Sequence, residues 1–451
     1  MAELTLEDIQ ANLLRGHKLK HVLHLFGEVR AEDAAGVEDW RAFLGRLGSR
    51  ITRASAWQQG ASVTINVGLS FAAVSALRPT LARELEASFD AFREGMPRRA
   101  ELLGDSDFKR EVWERRNVWV SISAQTEADL NRARDEVEAL AENGALLTDY
   151  LEGEAIEKDG HWHEHFGFRD DISFPAFEGI PGLTPAEIKG RGKLQNGSWT
   201  ALAAGEFVLG EPNESGENAL EGLTEDAQVL LRNGSFAVFR HLQQHVEAFH
   251  EYAQRMRGAE DADFVAERMM GRTKQGDPLV PTDEPPGSPD QSNFNYESDP
   301  KGAQCPMGSH VRRMNPRDGD GRHRLIRRSV PFGKPALAGQ PAAGPVGLLF
   351  VAFNADIKDQ FEHVQRDWCN ATLSNAVPNA RDPIGSAMQL RSMVVEGSPA
   401  RGRRAQLLLK IPQFVTCLGG QYYLYPGLAG LELLAAGPAR NASQRVLAAV
   451  G

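Results

Sequence analysis

One histidine stands where its ring could bind a metal. His310 leaves a Gly-Ser turn within the stretch CPMGSHVRRMNPRDGDGRHRLIRRSVPFG, and small and apolar residues flank it. A neutral imidazole nitrogen is a common metal ligand, and the arginines that follow, up to Arg327 and Arg328, can hold an anion or stabilise developing negative charge. The stretch indicates a metal or cofactor ligand with an electrostatic partner. A histidine without a ligand role beside solvated or ion-paired arginines is the structural alternative.

A histidine triplet forms a rival metal site, and two carboxylates follow it. His161, His163 and His165 alternate, so on an extended strand their rings would point the same way and suit zinc or iron. No carboxylate pattern matches the triplet, and short histidine-rich turns also occur as polar edges. One carboxylate of Asp170 and Asp171, partly desolvated beside a cofactor and near an arginine, could move a proton near neutral pH. A turn cap is the structural alternative.

The composition excludes several classes of function. The chain has 451 residues, 41% of them hydrophobic and 25% charged, which is typical of a globular protein with two or three domains. A net charge of −11 argues against nucleic-acid and anionic-membrane partners. The sequence contains no run of about twenty apolar residues that would predict a membrane span. Three widely spaced cysteines and the lack of a signal-peptide pattern predict a cytoplasmic protein.

Two successive series of strands and helices would position these residues. Apolar alternation predicts strands at 20–29, 63–69, 118–122, 145–150, 235–240, 348–353, 406–411 and 421–425. Helical spacing of apolar residues predicts helices at 40–47, 81–92, 130–140, 242–249 and 357–368. The segment 276–293 is too rich in Pro, Asp and Ser for a regular element. The first series follows the order β-α-β-β-α-β, which is the order of a ferredoxin-like unit, and the second repeats it with insertions.

We therefore expect an α+β protein with two ferredoxin-like domains, each built on an antiparallel sheet. Residues 1–200 would form the N-terminal domain, which carries the aspartate motif. Residues 201–451 would form the C-terminal domain, which carries His310. A cofactor would lie between the two domains or inside the second.

The chain resembles the dye-decolourising (DyP-type) family of haem peroxidases, in its longer-chain subgroup. The resemblance extends nearly from end to end, through DIQANLLRG, EHFGFRD followed by IS, NGSFAVFRHL, MMGR, CPMGSHVRRMNPRD, HRLIRRSVPFG, GLLFVAFNADIKDQFEHVQRDW and FVTCLGGQYYLYP. It implies two ferredoxin-like domains, with haem b (iron protoporphyrin IX) held mainly by the C-terminal one.

The resemblance also implies roles for individual residues. His310 falls on the proximal haem ligand, which binds the iron, Asp170 on the distal aspartate and Arg327 on the distal arginine. Glu362 is a candidate cofactor-binding residue that would accept a hydrogen bond from the second ring nitrogen of His310. The family has Gly after the distal aspartate, whereas this sequence has Asp171. A side chain there would strain a left-handed backbone, and its charge would raise the pKa of Asp170.

The implied function is that of a haem-dependent peroxidase, an oxidoreductase that reduces hydrogen peroxide to water. It would oxidise dyes, phenolic or other aromatic reductants in one-electron steps. Aromatic side chains that could relay electrons from bulky reductants, or simply pack in the core, are Trp368, Tyr422, Tyr423 and Tyr425. One alternative is a haem-binding or haem-handling protein with little turnover, for which Asp171 is the hint. Another is a non-haem metal protein that uses the histidine triplet. The oligomeric state stays open, with a homo-oligomer among the alternatives.

Overall fold

The structure is a computed structural model, and it describes most of the chain. The described residues are 4–141, 145, 147–170, 172–256, 262–282, 284–288, 291–317, 321–335, 344–373, 377–397 and 404–437. The strands are β1 His21–Gly27, β2 Val63–Leu69, β3 Val118–Ala124, β4 Leu147–Glu154, β5 Ile156–Lys158, β6 His161–His163, β7 Lys193–Gln195, β8 Ser198–Thr200, β9 Ser235–Gln244, β10 Ile326–Arg327, β11 Val330–Phe332, β12 Gly347–Asn354, β13 Met393–Val395, β14 Gln406–Leu408 and β15 Val415–Tyr425.

The helices cover both sheet halves and the connections between them. They are α1 Ala11–Leu14, α2 Ala34–Gly48, α3 Phe71–Leu77, α4 Pro79–Ser88, α5 Asp90–Glu94, α6 Met96–Arg99, α7 Arg110–Arg115, α8 Glu127–Leu140, α9 Pro185–Ile188, α10 Glu225–Leu231, α11 Val246–Met256, α12 Ala262–Met270, α13 His310–Met314 and α14 Leu428–Ala436. Short 3-10 helices span Ala54–Gln59 and Ala204–Glu206. Two consecutive π-helical segments span Ile357–Glu362 and Val364–Asn370.

The main sheet confirms the predicted fold class. Its strands follow the order β10-β12-β9-β15-β2-β3-β1-β4, with β11 also paired to β12, and neighbouring strands are antiparallel. The order β2-β3-β1-β4 is that of one ferredoxin-like unit, and β10-β12-β9-β15 is that of a second. The two units are therefore joined edge to edge in one continuous sheet.

The joint between the two units is narrow in the sheet but broad in the core. β15 pairs with β2 through one residue pair, Leu424 with Leu69. Beyond β15, α14 packs on α2 of the N-terminal unit, and its apolar side chains belong to the same core cluster as those of α2. Arg78 of the N-terminal unit donates a hydrogen bond from Nη1 to the Leu433 carbonyl of α14 at 2.9 Å. The end of the described chain thus completes the core of its first half.

Local sequence explains why the elements form where they do. Along β1, Leu23 and Leu25 join the core beneath the helices of the N-terminal unit, whereas Phe26 joins a second core on the opposite face of the sheet. This alternation buries both faces. At the start of α8 the Thr126 hydroxyl accepts from the Asp129 amide at 3.2 Å, which caps the helix.

Two helix predictions differ from the structure in detail, and one loop prediction agrees with it. The helix predicted from residue 242 begins at Val246, because β9 continues to Gln244. The helix predicted at 357–368 is present, but it is π-helical, a form that occurs often at functional sites. The described part of 276–293 contains no helix or strand, as predicted. The domain boundary at residue 200 stays a prediction.

No helix in the described parts of the chain combines the length and apolarity that crossing a membrane requires.

The edge strand β4 packs against β11 of the C-terminal unit at Gly153. A Cβ added there would lie 2.5 Å from Val330 Cγ1 and 2.8 Å from the Pro331 carbonyl oxygen. We expect Gly153→Ala to lower the free energy of unfolding by about 1–3 kcal/mol, because the contact has no room for a methyl group. Urea denaturation measures this. Gly344→Ala, where a Cβ would meet nothing within 4 Å, is the control. Equal effects of the two changes would contradict the predicted packing.

Candidate active site

One large cavity brings together the chemistry-bearing residues that the sequence singles out. The cavity has a volume of about 430 Å³, and Asp170, His310 and Arg327 all line it. Its apolar walls include Leu242 of β9 and Phe350 of β12. A mostly apolar pocket with a few convergent polar groups is typical of a cofactor or ligand site. Both halves of the chain contribute to this one.

His310 is held at the cavity by a buried carboxylate. It is the first residue of α13, and its Nδ1 lies 3.1 and 3.0 Å from the two carboxylate oxygens of Asp382. Asp382 is fully buried, and its Oδ1 also accepts from the amides of Ile384 at 2.9 Å and Gly385 at 2.7 Å. Because a carboxylate accepts, Nδ1 carries a proton, so in the neutral ring that binds a metal Nε2 is the unprotonated nitrogen.

The charge on Asp382 is stabilised by its neighbours. Burial favours a higher pKa for this carboxyl, but the charge and hydrogen bond of His310, the Gly385 amide and the nearby Arg313 outweigh it. The pKa of Asp382 therefore lies below its ordinary value. An ionised acceptor makes the His310 ring more basic, so Nε2 becomes a stronger metal ligand.

Asp170 and Arg327 reach the cavity from different elements. Asp170 follows the turn after β6, and its amide donates to the Trp162 carbonyl at 2.8 Å. Arg327 is the second residue of β10, where it pairs with Ala352 of β12. The structure thus brings His310, Asp170 and Arg327 to one cavity, although 140 and 17 residues separate His310 from the other two along the chain.

The cavity is also positively charged along one side. Arg272 lines it, and burial, with the nearby charges of Arg317 and Arg327, lowers the pKa of Arg272 to about 10. Its Nη1 donates to the carbonyls of Gly276 at 2.7 Å and Gln291 at 2.9 Å. Its buried Nη2 has no hydrogen-bond partner within the described ranges. Such a guanidinium suits a carboxylate group of a bound molecule.

Comparisons with known proteins match this chain along almost its whole length. Residues 204–392 match the family model described as "Dyp-type peroxidase, C-terminal". The dye-decolorizing peroxidase msp1 of Mycetinis scorodonius is 27% identical over 96% of this chain and 88% of its own length. The multifunctional dye peroxidase DyP2 of Amycolatopsis sp. is 28% identical over 96% of both chains. The chain is thus similar to Dyp-type peroxidases along most of its length.

Solved structures of Dyp-type peroxidases share the fold. A dye-decolorizing peroxidase in complex with 2,6-dimethoxyphenol is 25% identical, with a TM-score of 0.76 over 96% of this chain and 100% of that chain. A fungal DyP-type peroxidase from Auricularia auricula-judae is 22% identical, with a TM-score of 0.79 over the same shares. The family consists of haem enzymes with two ferredoxin-like domains, so the predicted fold is confirmed.

The predicted hydrogen-bond partner of His310 is wrong. The Glu362 carboxylate is fully buried, and it accepts from Nε and Nη2 of Arg99, both at 2.6 Å, and from the Tyr422 hydroxyl at 2.9 Å. Glu362 therefore ties its π-helical segment to α6 and β15. The acceptor beside His310 Nδ1 is instead Asp382.

The rival site at the histidine triplet does not form. His163 Nδ1 lies 3.1 Å from the His161 carbonyl, and His165 Nε2 lies 2.9 Å from the Phe332 carbonyl. Throughout the described ranges, no group of three or more His, Cys, Asp or Glu side chains is placed to hold a metal ion. Two histidines of the triplet, His163 and His165, thus pair with backbone carbonyls.

The candidate relay residues differ in their surroundings. Three of them have at most 1% of their surface exposed: Tyr422, Tyr423 and Tyr425. Trp368 is half-buried, and its ring centroid lies 5.5 Å from that of His323 and 5.4 Å from that of His363. His323 lines the cavity. Trp368 is therefore linked to the cavity through His323. Tyr425 lines the cavity directly, whereas Tyr422 and Tyr423 pack in the core.

Two residues of the candidate site, one behind His310 and one in the cavity wall, were missed by the sequence analysis. Asp382 lies in a loop, where helical or strand periodicity gives no signal, but its Asp-Pro-Ile-Gly sequence is typical of a turn in which Asp accepts from the following amides. Glu164 lies between two histidines of the triplet, and it also lines the cavity. Asp171 lies outside the described residues.

The buried ion pair of Glu362 provides a test of its structural role. We expect Glu362→Gln to lower the free energy of unfolding by about 3 kcal/mol, because it leaves a buried guanidinium without its main counter-charge. Thermal or urea unfolding measures this. Glu94, which also pairs with Arg99 at 2.7 Å but is 37% exposed, is the matched control. Glu94→Gln should cost less than about 1 kcal/mol. A smaller loss at Glu362 than at Glu94 would refute the assignment.

Proposed function

We propose that this protein reduces hydrogen peroxide to water with a haem b bound through His310, and that it oxidises dyes, phenols or other aromatic reductants in one-electron steps. The observation that carries the proposal is His310, which is fixed by buried Asp382 in the cavity that Asp170 and Arg327 also line. The protein similar to this chain that was solved with 2,6-dimethoxyphenol supports a phenolic reductant.

The residues present fit a haem. Next to His310, a Cβ added at Gly385 would come within 3.5 Å of the imidazole Cε1 and 3.0 Å of Cys369 Sγ, so the absence of a side chain keeps this wall of the cavity flat. The uncompensated Nη2 of Arg272 and the charge of Arg327 suit the propionate carboxylates. The neutral Nε2 of His310 suits the iron.

When bound, the haem supplies the iron that coordinates peroxide and the redox chemistry of the reaction. His310 would hold it through Nε2. Asp382 keeps the imidazole in one orientation and one tautomer, and its negative charge makes the ring a stronger electron donor. Stronger donation by the proximal ligand favours the higher oxidation states that peroxide reduction requires.

Asp170 and Arg327 would act on the peroxide. The Asp170 carboxylate takes the proton from one peroxide oxygen and returns it to the other, so that the departing oxygen leaves as water. Arg327 stabilises the negative charge that develops as the O–O bond breaks. The remaining oxygen becomes a second water with two electrons and two protons, which come from two molecules of a phenolic reductant that each lose one electron and one proton.

Bulky reductants need a route that does not require entry into the cavity. Trp368 supports such a route, because its half-buried indole contacts His323, which lines the cavity.

We also propose a cytoplasmic location. In support, the three cysteines at 305, 369 and 417 are buried and unpaired, as in a reducing compartment.

Three substitutions test the assigned roles together. We expect His310→Ala to abolish the Soret band of the haem-loaded protein, because the axial ligand is lost. Asp170→Asn and Arg327→Leu should retain the band but slow the reaction with peroxide by about 10²–10⁴-fold each, because proton transfer and charge stabilisation are removed. Stopped-flow spectroscopy with stoichiometric peroxide measures both effects.

The outcomes of this experiment separate the alternatives. Full peroxide reactivity in both the Asp170 and Arg327 variants would reject their roles. A Soret band that depends on His310 but does not change when peroxide is added to the unmodified protein would favour the haem-handling alternative. Failure to take up haem at all would reject the proposed function.

The Asp382 carboxylate has its own prediction. We expect Asp382→Asn to keep the fold but to lower haem affinity or the rate with peroxide by about 10–100-fold, because a neutral amide polarises His310 less than a carboxylate does. Haem titration and the Fe(III)/Fe(II) midpoint potential, which should rise, measure the change. Ser386→Ala, in the same loop, is the control. An unchanged potential in Asp382→Asn would contradict the role of Asp382.

A further inference from the structure

A second carboxylate lines the cavity beside Asp170. Glu164 lies at the start of the turn that leads to Asp170, and it is partly exposed. Its Oε1 accepts from the Phe168 amide at 2.9 Å, and its Oε2 accepts from the Phe166 amide at 2.9 Å. Oε2 also accepts from Gln244 Nε2 at 2.6 Å. The carboxylate thus has a donor from the sheet and two from its own turn.

The turn that Glu164 organises ends at Asp170. The Glu164 amide donates to the Phe168 carbonyl at 3.0 Å, and the Gly167 amide donates to the Glu164 carbonyl at 2.9 Å. Gly167 has a φ of +93°, a backbone conformation that residues with a side chain rarely adopt, so the turn favours glycine at this position. Within six residues of Glu164 the chain reaches Asp170, whose own amide is fixed by Trp162.

The third donor connects two parts of the molecule. Gln244 is the last residue of β9, in the C-terminal ferredoxin-like unit, and it is 4% exposed. Its Nε2 donates to Glu164, while its Oε1 has no hydrogen-bond partner in the described part of the chain. Gln244 therefore fastens the Asp170 turn to the sheet that forms the cavity wall. After rotation of the amide, this oxygen can accept a hydrogen bond from the hydroxyl of a protonated Glu164.

Burial leaves Glu164 close to a change of protonation at neutral pH. Burial, with a smaller contribution from the charge of Asp170, raises the pKa of Glu164 to about 7, although the hydrogen bonds from the Phe166 and Phe168 amides and from Gln244 lower it. The group that faces it from β9 is the neutral Gln244 amide. The guanidiniums of Arg272 and Arg327 line the same cavity.

We propose that Glu164 is a positioning residue of the peroxide-binding side of the site: through Gln244 it clamps the Phe166–Asp170 turn to β9, and this fixes the place from which Asp170 moves its proton. The inference rests on the proposed function of Asp170. Because Glu164 and Asp170 line the same cavity, ionisation of Glu164 changes the charge of the cavity in which Asp170 acts.

The first test uses cyanide binding to the haem-loaded protein, measured at the Soret band without turnover. Hydrogen cyanide must give up a proton when it binds, so its association rate reports on Asp170. We expect Glu164→Gln and Gln244→Leu each to slow association by about 10-fold or more, because the base is displaced. The double variant should be no slower than the slower single variant, because the two residues act as one unit.

The matched control is Glu187→Gln. Glu187 also caps a turn, at the start of α9, but it lies away from the cavity lining. Its association rate should stay within about twofold of that of the unmodified protein, as surface changes usually have small effects. The pH profile adds a readout that loss of structure would not produce. An inflection near pH 7 should be present in the unmodified protein and in Glu187→Gln, and absent in Glu164→Gln.

The second test needs no haem. Hydrogen exchange of the Phe166–Asp170 amides should be about 10-fold faster in Glu164→Gln and Gln244→Leu than in Glu187→Gln, because two of these amides lose an acceptor or its anchor. Unchanged exchange would overturn the clamp. Faster exchange with unchanged cyanide association would overturn the positioning role. If the unmodified protein forms no Soret band that responds to cyanide, the proposed function is contradicted. The hydrogen-exchange result would still show whether Glu164 and Gln244 hold the turn.

Discussion

The hydrogen bond between buried Asp382 and His310 is the interaction on which the site depends. A carboxylate without water is costly unless donors surround it, and Asp382 has the imidazole and two amides of its own loop. The bond therefore fixes two segments that lie 72 residues apart. Arg313, on the same short helix as His310, adds a second anchor by donating from Nη2 to the Ala371 carbonyl at 2.8 Å.

The remainder of the site comes from the other half of the chain. Asp170 reaches the cavity from the segment after β6, while His310 and Arg327 come from the C-terminal half. A buried ion pair between Asp105 and Arg240 crosses between the halves at the same cavity. Neither half alone could form this pocket. The continuous sheet, and not a flexible interface, determines where the two sets of residues meet.

The sequence was sufficient to predict the parts of the structure that depend on periodicity. Alternating apolar residues located the long strands, and their order gave the ferredoxin-like units. The motifs around His310, Asp170 and Arg327 identified residues that the fold brings to one cavity. These inferences succeed because burial imposes a regular spacing on strands and helices.

The errors came from contacts that have no regular spacing. Glu362 lies in a helix near the cavity, so its proximity to His310 was plausible, but the π-helical geometry and the Arg99 and Tyr422 partners hold it elsewhere. Asp382 belongs to a loop whose position depends on tertiary contacts. The alternation of the histidine triplet gave a spacing that suits one shared face. In the structure, however, ring nitrogens of His163 and His165 lie within hydrogen-bond distance of backbone carbonyls.

The packing of α14 on α2 has a consequence for how the molecule forms during synthesis. The N-terminal unit is made first, but part of the apolar surface of α2 and the edge of β2 are covered by α14 and β15, which come from the second half of the chain. That surface must remain exposed while more than 350 further residues are translated after β2. The core of the first half is therefore completed only after the second half has been made, and so is the cavity that both halves line.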